Sequence, residues 1–197
     1  MTEFPFSDNV LPGVAFKLLK SHHDQRGFFR EVLRVSDPIF TAGRFAQWSH
    51  SSMQKDVVKA WHYHNLQYDW WYVPLGQIEA VLVDFREESP VFRKKIVLRM
   101  GERALYGSDT WEVCVRIPPG VLHGCRVLSP QAHLFYITSE TYSTDDEGRL
   151  PFDSKEVQHS WGPGALTAEN DRRVFVPARP RNVLASQGVC PVVDNAD

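Results

Sequence analysis

Short apolar runs, each closed by a turn signal, recur through the first two thirds of the chain. Glu79–Asp84, Lys94–Arg99, Trp111–Ile117 and Ala132–Thr138 are rich in β-branched and aromatic residues, the composition that suits a pleated, half-buried surface. Gly76, Ser89-Pro90, Gly107-Ser108, Pro118-Pro119-Gly120 and Ser129-Pro130 separate them. Such residues make turns by admitting positive φ, by fixing φ, or by bonding side chain to backbone. Short strands at this spacing predict an all-β sandwich or antiparallel barrel. No helical stripe of any length precedes residue 140, and Asp37–Gly43 offers at most one helical turn. After Phe152 the texture changes. Ser160–Gly164 reads as a loop, and Leu166–Arg173 as a helical turn starting near Thr167. Residues 1–175 form one domain with this short helical or irregular extension. Pro177, Pro180 and a polar end predict a tail over 176–197 that wraps the domain or is partly disordered.

Composition narrows the class. A chain of 197 residues buries roughly 70% of its unfolded surface and needs no disulfide or metal to fold. A formal net charge of −2 supplies no global field for nucleic acid, so any partner must be met by a local site. Cys114, Cys125 and Cys190 show no CxxC spacing, which argues against a disulfide framework and fits a reducing compartment. No run approaches the roughly 20 apolar residues of a membrane helix, and residues 1–20 carry no leader pattern. The expectation is a soluble, cytoplasmic protein with no membrane or nucleic-acid partner.

The densest candidate chemistry lies in Lys59-Ala-Trp-His62-Tyr-His64-Asn-Leu-Gln-Tyr-Asp69. On a strand, His62 and His64 share one face, which in a barrel would be the lumen. Pro118-Pro-Gly-Val-Leu-His123 is a proline-glycine turn that delivers a third histidine to the next strand. The blander readings are a hydrogen-bonded core histidine at 62, a buried ion pair between His64 and Asp69, and a core tyrosine at 136. The aromatic run Trp61, Trp70, Trp71 and Tyr72 reads as core or subunit interface. His22, His23, His50, His133 and His159 read as surface or packing, and Asp145-Asp146-Glu147 as a solvated turn.

His62, His64, Asp69 and Gly76, followed by Pro118, Gly120 and His123, resemble the two paired motifs of the cupin superfamily. A closer resemblance runs over residues 10–175. Asp24-Gln-Arg26-Gly27-Phe-Phe29-Arg-Glu31 is similar to the DxRGxFxE signature of the dTDP-4-dehydrorhamnose 3,5-epimerases. Further matches lie in Phe45–Ser51, Val57–His62, Val83–Phe92, Pro118–Ser129, Leu134–Tyr136 and Tyr142. The resemblance implies a cupin-type jelly roll, a homodimer, and an enzyme that acts on a nucleotide-linked 4-keto-6-deoxyhexose without a cofactor. It implies His62 as the base, Asp171 as its orienting partner and Tyr136 as the acid. Arg26, Phe29, Glu31, Gln47, Lys59, His64, His123 and Tyr142 would contact the substrate. Three positions depart from the family pattern. Lys59 replaces an arginine, His64 replaces a glutamine, and Asp69 stands where a lysine would neutralise the enolate. Two rival readings follow: a metal-dependent cupin holding one divalent transition metal through His62, His64, Asp69 and His123, and a non-catalytic nucleotide-sugar-binding cupin.

Overall fold

The computed structural model describes residues 4–6, 10–40 and 44–168. Two antiparallel sheets face each other. The first runs in the order β1 (Ala15–Leu18), β10 (Val113–Ile117), β6 (Asp69–Leu75), β12 (Gln131–Thr138) and β4 (Gln47–Gln54). The second runs β13 (Glu147–Arg149), β5 (Val58–His64), β11 (Val121–Val127), β7 (Gln77–Asp84), β8 (Lys95–Gly101) and β9 (Thr110–Trp111), whose last pairing alone is parallel. A separate hairpin joins β2 (Ser21–Asp24) to β3 (Gly27–Arg30). This is the jelly-roll architecture that the strand pattern and the resemblance predict. The four apolar runs fall on β7, β8, β9–β10 and β12, within a few residues of their expected limits.

Among the described residues, helix is confined to the 3-10 turn Pro38–Phe40 and to α1 (Arg103–Tyr106), a single turn that the apolar pattern does not announce. Leu166 forms an isolated bridge to Val57. Most of the helical turn expected over Leu166–Arg173, and the whole tail over 176–197, lie outside the described residues.

Among the described residues, three apolar clusters hold the sheets. Between them, Val73, Leu82, Leu98, Met100, Val115, Val127 and Ala132 are at most 4% exposed. Behind the second sheet, Trp61 and Tyr63 pack on Leu150, Val157 and Trp161. Behind the first, Trp70 meets Ile39 and Phe40 of the 3-10 turn. The aromatic run thus divides. Trp61 and Trp70 turn outward from the sandwich under covering segments, and Trp71 turns inward. The motif Val83–Phe92 is structural: Arg86 binds Asp84 through Nε at 2.9 Å and Nη2 at 2.5 Å, and reaches Pro12 O at 2.9 Å. Both side chains are fully buried. Removing either partner would leave an uncompensated buried charge, which costs roughly 3–5 kcal/mol.

Candidate active site

Near one end of the sandwich the inward-facing residues turn polar and enclose a cavity of about 650 Å³, within the range of small-ligand sites. Lys59, His62 and His64 of β5, His123 and Cys125 of β11, and Glu147 and Arg149 of β13 come from one sheet. Gln47 and Ser51 of β4, Asp69 and Trp71 of β6, and Leu134, Tyr136 and Thr138 of β12 come from the other.

Strand pairing places the histidines. His62 and His123 are register partners across β5 and β11, and their rings stack at 6.3 Å. The register slips between His123 and Cys125, at the level where Lys59 joins His62 on the cavity wall. The turn Pro118-Pro119-Gly120 feeds β11, with Gly120 at φ 77, a conformation that costs glycine nothing. At Gly148 any Cβ would lie 2.1 Å from the Tyr63 ring. Glycine there lets β13 lie close against β5 and carries Glu147 to the histidines.

Glu147 Oε1 receives His62 Nδ1 at 2.8 Å and Arg149 Nη2 at 3.1 Å. Burial opposes the charge of this carboxylate, but the hydrogen bonds from His62 and Arg149 outweigh it and hold the group down at about 2. His62 is thereby oriented, with Nε2 left without a partner among the described residues. Asp146 serves the neighbouring position. Its carboxylate accepts the backbone N–H groups of Asn65, Leu66 and Gln67 at 3.0, 2.7 and 3.3 Å, and its Oδ2 stands 3.5 Å from His64 Nδ1. Burial works to lower the proton affinity of His64, yet Asp146, Asp69 and Glu147 reverse it, and the net shift is upward.

Deeper in, Asp69 accepts Gln67 Nε2 at 2.7 Å and Trp71 Nε1 at 3.2 Å. Its Oδ2 stands 3.7 Å from His123 Nε2, while His123 Nδ1 donates to Val121 O at 3.0 Å. Burial pushes His123 down to about 4, so the ring is neutral near pH 7. Burial likewise pushes the Cys125 thiol up to about 12, which leaves it inert as a nucleophile.

Of the residues expected at the site, His62, Tyr136, Gln47, Lys59, His64, His123 and Tyr142 line the cavity, as does Asp69. Lys59 Nζ donates to Ser51 Oγ at 2.7 Å, and the Gln47 carboxamide receives the Tyr142 N–H at 3.2 Å. Arg26, Phe29 and Glu31 do not join it. Arg26 pairs with Asp24, Glu31 pairs with Arg34, and Phe29 stands exposed on the β2–β3 hairpin. Asp171 lies outside the described residues, and the carboxylate seen on His62 is Glu147. The solvated turn expected at Asp145-Asp146-Glu147 is a correction as well. Asp146 and Glu147 are both buried, because the chain returns as β13 and lays them beside His64 and His62. As for metal ligands, His64, Asp69 and His123 bring donor atoms within 4.8 Å of one another. Those three residues could hold a cation; His62, expected as a fourth ligand, is not in that group and binds Glu147 through Nδ1.

Comparison with known proteins gives a consistent result. The family model described as dTDP-4-dehydrorhamnose 3,5-epimerase matches residues 8–178. The spore coat polysaccharide biosynthesis protein SpsL of Bacillus subtilis is 37% identical over 155 residues, covering 77% of this chain and 97% of that protein. The dTDP-4-dehydrorhamnose 3,5-epimerase of Salmonella typhimurium is 29% identical over 158 residues, 77% of this chain and 82% of that one. Among solved structures, a dTDP-6-deoxy-D-glucose-3,5-epimerase of Legionella pneumophila in complex with dTDP-4-keto-L-rhamnose aligns with a TM-score of 0.67 and 27% identity. That alignment covers 78% of this chain and 81% of the other.

Proposed function

The chain belongs to the dTDP-4-dehydrorhamnose 3,5-epimerase family, and from that membership we propose that it epimerises a nucleoside-diphosphate-linked 4-keto-6-deoxyhexose. The ketone acidifies the C–H bonds beside it. His62 removes such a proton through Nε2 from one face of the sugar ring, and Glu147 stabilises the imidazolium that forms. Tyr136 then gives a proton to the enolate from the other face, which inverts the carbon. One observation carries this reading: His62 and Tyr136 project from opposite sheets into a single cavity, the arrangement that inversion requires. A paired imidazole is a suitable base near neutral pH, and such a group contributes typically 10²–10⁴ in rate.

The electrophilic side differs from the family pattern. Asp69 is an anion where that pattern has a lysine, so the positive potential near the developing oxyanion comes from Lys59, Arg149 and His64, all on the cavity wall. Lys59 also serves the diphosphate as a compact point charge, in place of a bidentate guanidinium. The proposed chemistry is carried by side chains alone. We also propose a homodimer. Arg26 and Phe29 sit on a projecting hairpin away from their own cavity, and such a hairpin can complete the site of a second copy. Sedimentation at the mass of one chain would sink that arrangement.

The deciding experiment follows deuterium entry into dTDP-4-keto-6-deoxyglucose in D₂O by NMR, with His62→Ala in parallel. Exchange at C3 or C5 that the variant lacks supports the proposal. No exchange by folded wild-type protein that binds the nucleotide sugar would leave the cavity as a binding site only.

A further inference from the structure

The chain that follows β13 forms a strap across the outer face of the second sheet and then returns to the cavity. Trp161 lies buried in that strap against Trp61, with ring centroids 4.9 Å apart, and its Nε1 donates to Phe152 O at 3.1 Å. Further on, Leu166 bridges Val57 in parallel register. Its N–H donates to Asp56 O and its carbonyl accepts the Val58 N–H, both at 2.8 Å. Leu166, Thr167 and Ala168 thereby stand on the cavity wall beside Val57, Val58 and Lys59.

One side chain ties these pieces together from behind. Arg126 alternates on β11 with His123 and Cys125, so it points out of the sandwich while they face the cavity. Its Nη1 donates to Trp161 O, and its Nη2 donates to Pro163 O at 2.8 Å and to Asp56 Oδ1 at 2.7 Å. The planar fork thus grips the strap and the β4–β5 turn at once, which the compact charge of an ammonium does less well. The backbone is shaped around it. Asp56 has φ 65, a left-handed conformation that is unfavourable for a residue with a Cβ, and it brings the carboxylate to Arg126. Gly162 has φ 79, and a Cβ there would lie 2.6 Å from Arg126 Nη1.

From this geometry we infer that Arg126 is a positioning residue for the ligand site. It docks the strap from the back of the sheet and so holds Leu166, Thr167 and Ala168 in place as one wall of the cavity. The inference deepens the nucleotide-sugar reading and rests on it for the ligand. The wall stands beside Lys59, which serves the diphosphate in that reading. His62 and Tyr136 are held by other contacts, His62 by Glu147 and its strand neighbours, and Tyr136 by β4 and β6. Loosening the wall therefore weakens binding and spares proton transfer.

The test compares Arg126→Met, which keeps the apolar stem and loses every donor, with Arg126→Lys and Asp56→Gly. The glycine suits the left-handed backbone and removes only the carboxylate. Deuterium entry into dTDP-4-keto-6-deoxyglucose gives kcat and KM, and amide hydrogen exchange reads the Val58 and Leu166 N–H groups. In Arg126→Met both amides should exchange faster, as local opening requires. KM should rise about 3–10-fold with kcat within about twofold, less than the full loss of a charge-assisted hydrogen bond because two backbone bonds still hold Leu166. Arg126→Lys and Asp56→Gly each keep part of the contact and should fall between wild type and Arg126→Met. A lowered melting temperature with unchanged KM would make Arg126 a stabilising residue only and overturn the inference. Unchanged exchange at the two amides would overturn it as well, and so would a loss confined to kcat, which would place the effect at the reacting carbon. Should Arg126→Met fail to fold, the two milder variants carry the same comparison. Wild-type protein that binds no sugar nucleotide would remove the ligand reading and the inference with it, an outcome seen before any variant is made.

Discussion

The same strands build two different interiors, and they change character along their length. On β6 the inward positions run Asp69, Trp71, Val73. On β12 they run Thr138, Tyr136, Leu134, Ala132, and on β11 His123, Cys125, Val127. Each strand is polar at one end and apolar at the other, and the polar ends coincide. The apolar half is closed, with Leu82, Met100 and Val127 at most 2% exposed. The polar half is open and lined by charges held in pairs. The lesson is a division of labour. The closed half supplies the net stability, and its rigidity lets the open half keep polar groups oriented for a ligand at the expense of burial energy.

That division predicts opposite phenotypes for two substitutions. His62→Asn should lower kcat/KM for epimerisation about 10²–10⁴-fold at a small cost in stability, that of the hydrogen bond His62 gives to Glu147. Leu82→Ala, in the closed half, should cost about 2–5 kcal/mol of unfolding free energy with normal turnover per folded molecule. Steady-state kinetics beside denaturant titrations check both. If His62→Asn unfolds the protein, or Leu82→Ala abolishes turnover in protein that remains folded, the two halves are not separable.

The sequence discloses the closed half far better than the open one, for the same physical reason. Strands β7, β8, β10 and β12 are legible because their inward residues are apolar and periodicity is a record of burial. Strand β4, Gln47–Gln54, escapes that reading. Its inward positions Gln47 and Ser51 face the cavity and its outward ones face solvent, so neither face is apolar. The hairpin β2–β3 is hidden for a similar reason, being exposed along most of its length. At the site, the HxH spacing and the Pro-Gly turn reveal His62, His64 and His123 because their signal is local. Glu147 and Asp146 pair with residues 85 and 80 positions away, and nothing within an acidic triplet announces a long-range partner. The period-two pattern of Glu147, Gly148 and Arg149 is the one trace that could have marked a strand there.

Titration sharpens the comparison next, because the open half should govern how stability depends on pH. His123 is buried neutral, so it binds protons more weakly in the folded than in the unfolded chain. Its contribution is fully present above pH 6.5 and is lost as the pH falls toward 4. The shift corresponds to at most about 3 kcal/mol. His123→Gln should flatten the stability curve over that window, read from urea midpoints at closely spaced pH values. An unchanged slope would mean that His123 takes up its proton in the folded protein as readily as in the unfolded one.

Glu147 acts in a lower and separate window, with the smaller effect. Its carboxylate is held at about 2 against an ordinary value of 4.5, so its pairing with His62 and Arg149 contributes stability above pH 4.5. That contribution is lost as the pH falls toward 2. The group opens onto the cavity, and solvent reduces the free energy to about 2 kcal/mol. Glu147→Gln should remove the slope between pH 4.5 and 2 and leave the window of His123 intact. At neutral pH it should also lower kcat about tenfold with little change in substrate affinity. The amide still fills the space beside His62 but no longer carries the negative charge that stabilises the imidazolium formed during proton abstraction. A loss of affinity with normal kcat would instead place Glu147 against the substrate, and the orientation of His62 would then have to come from another carboxylate.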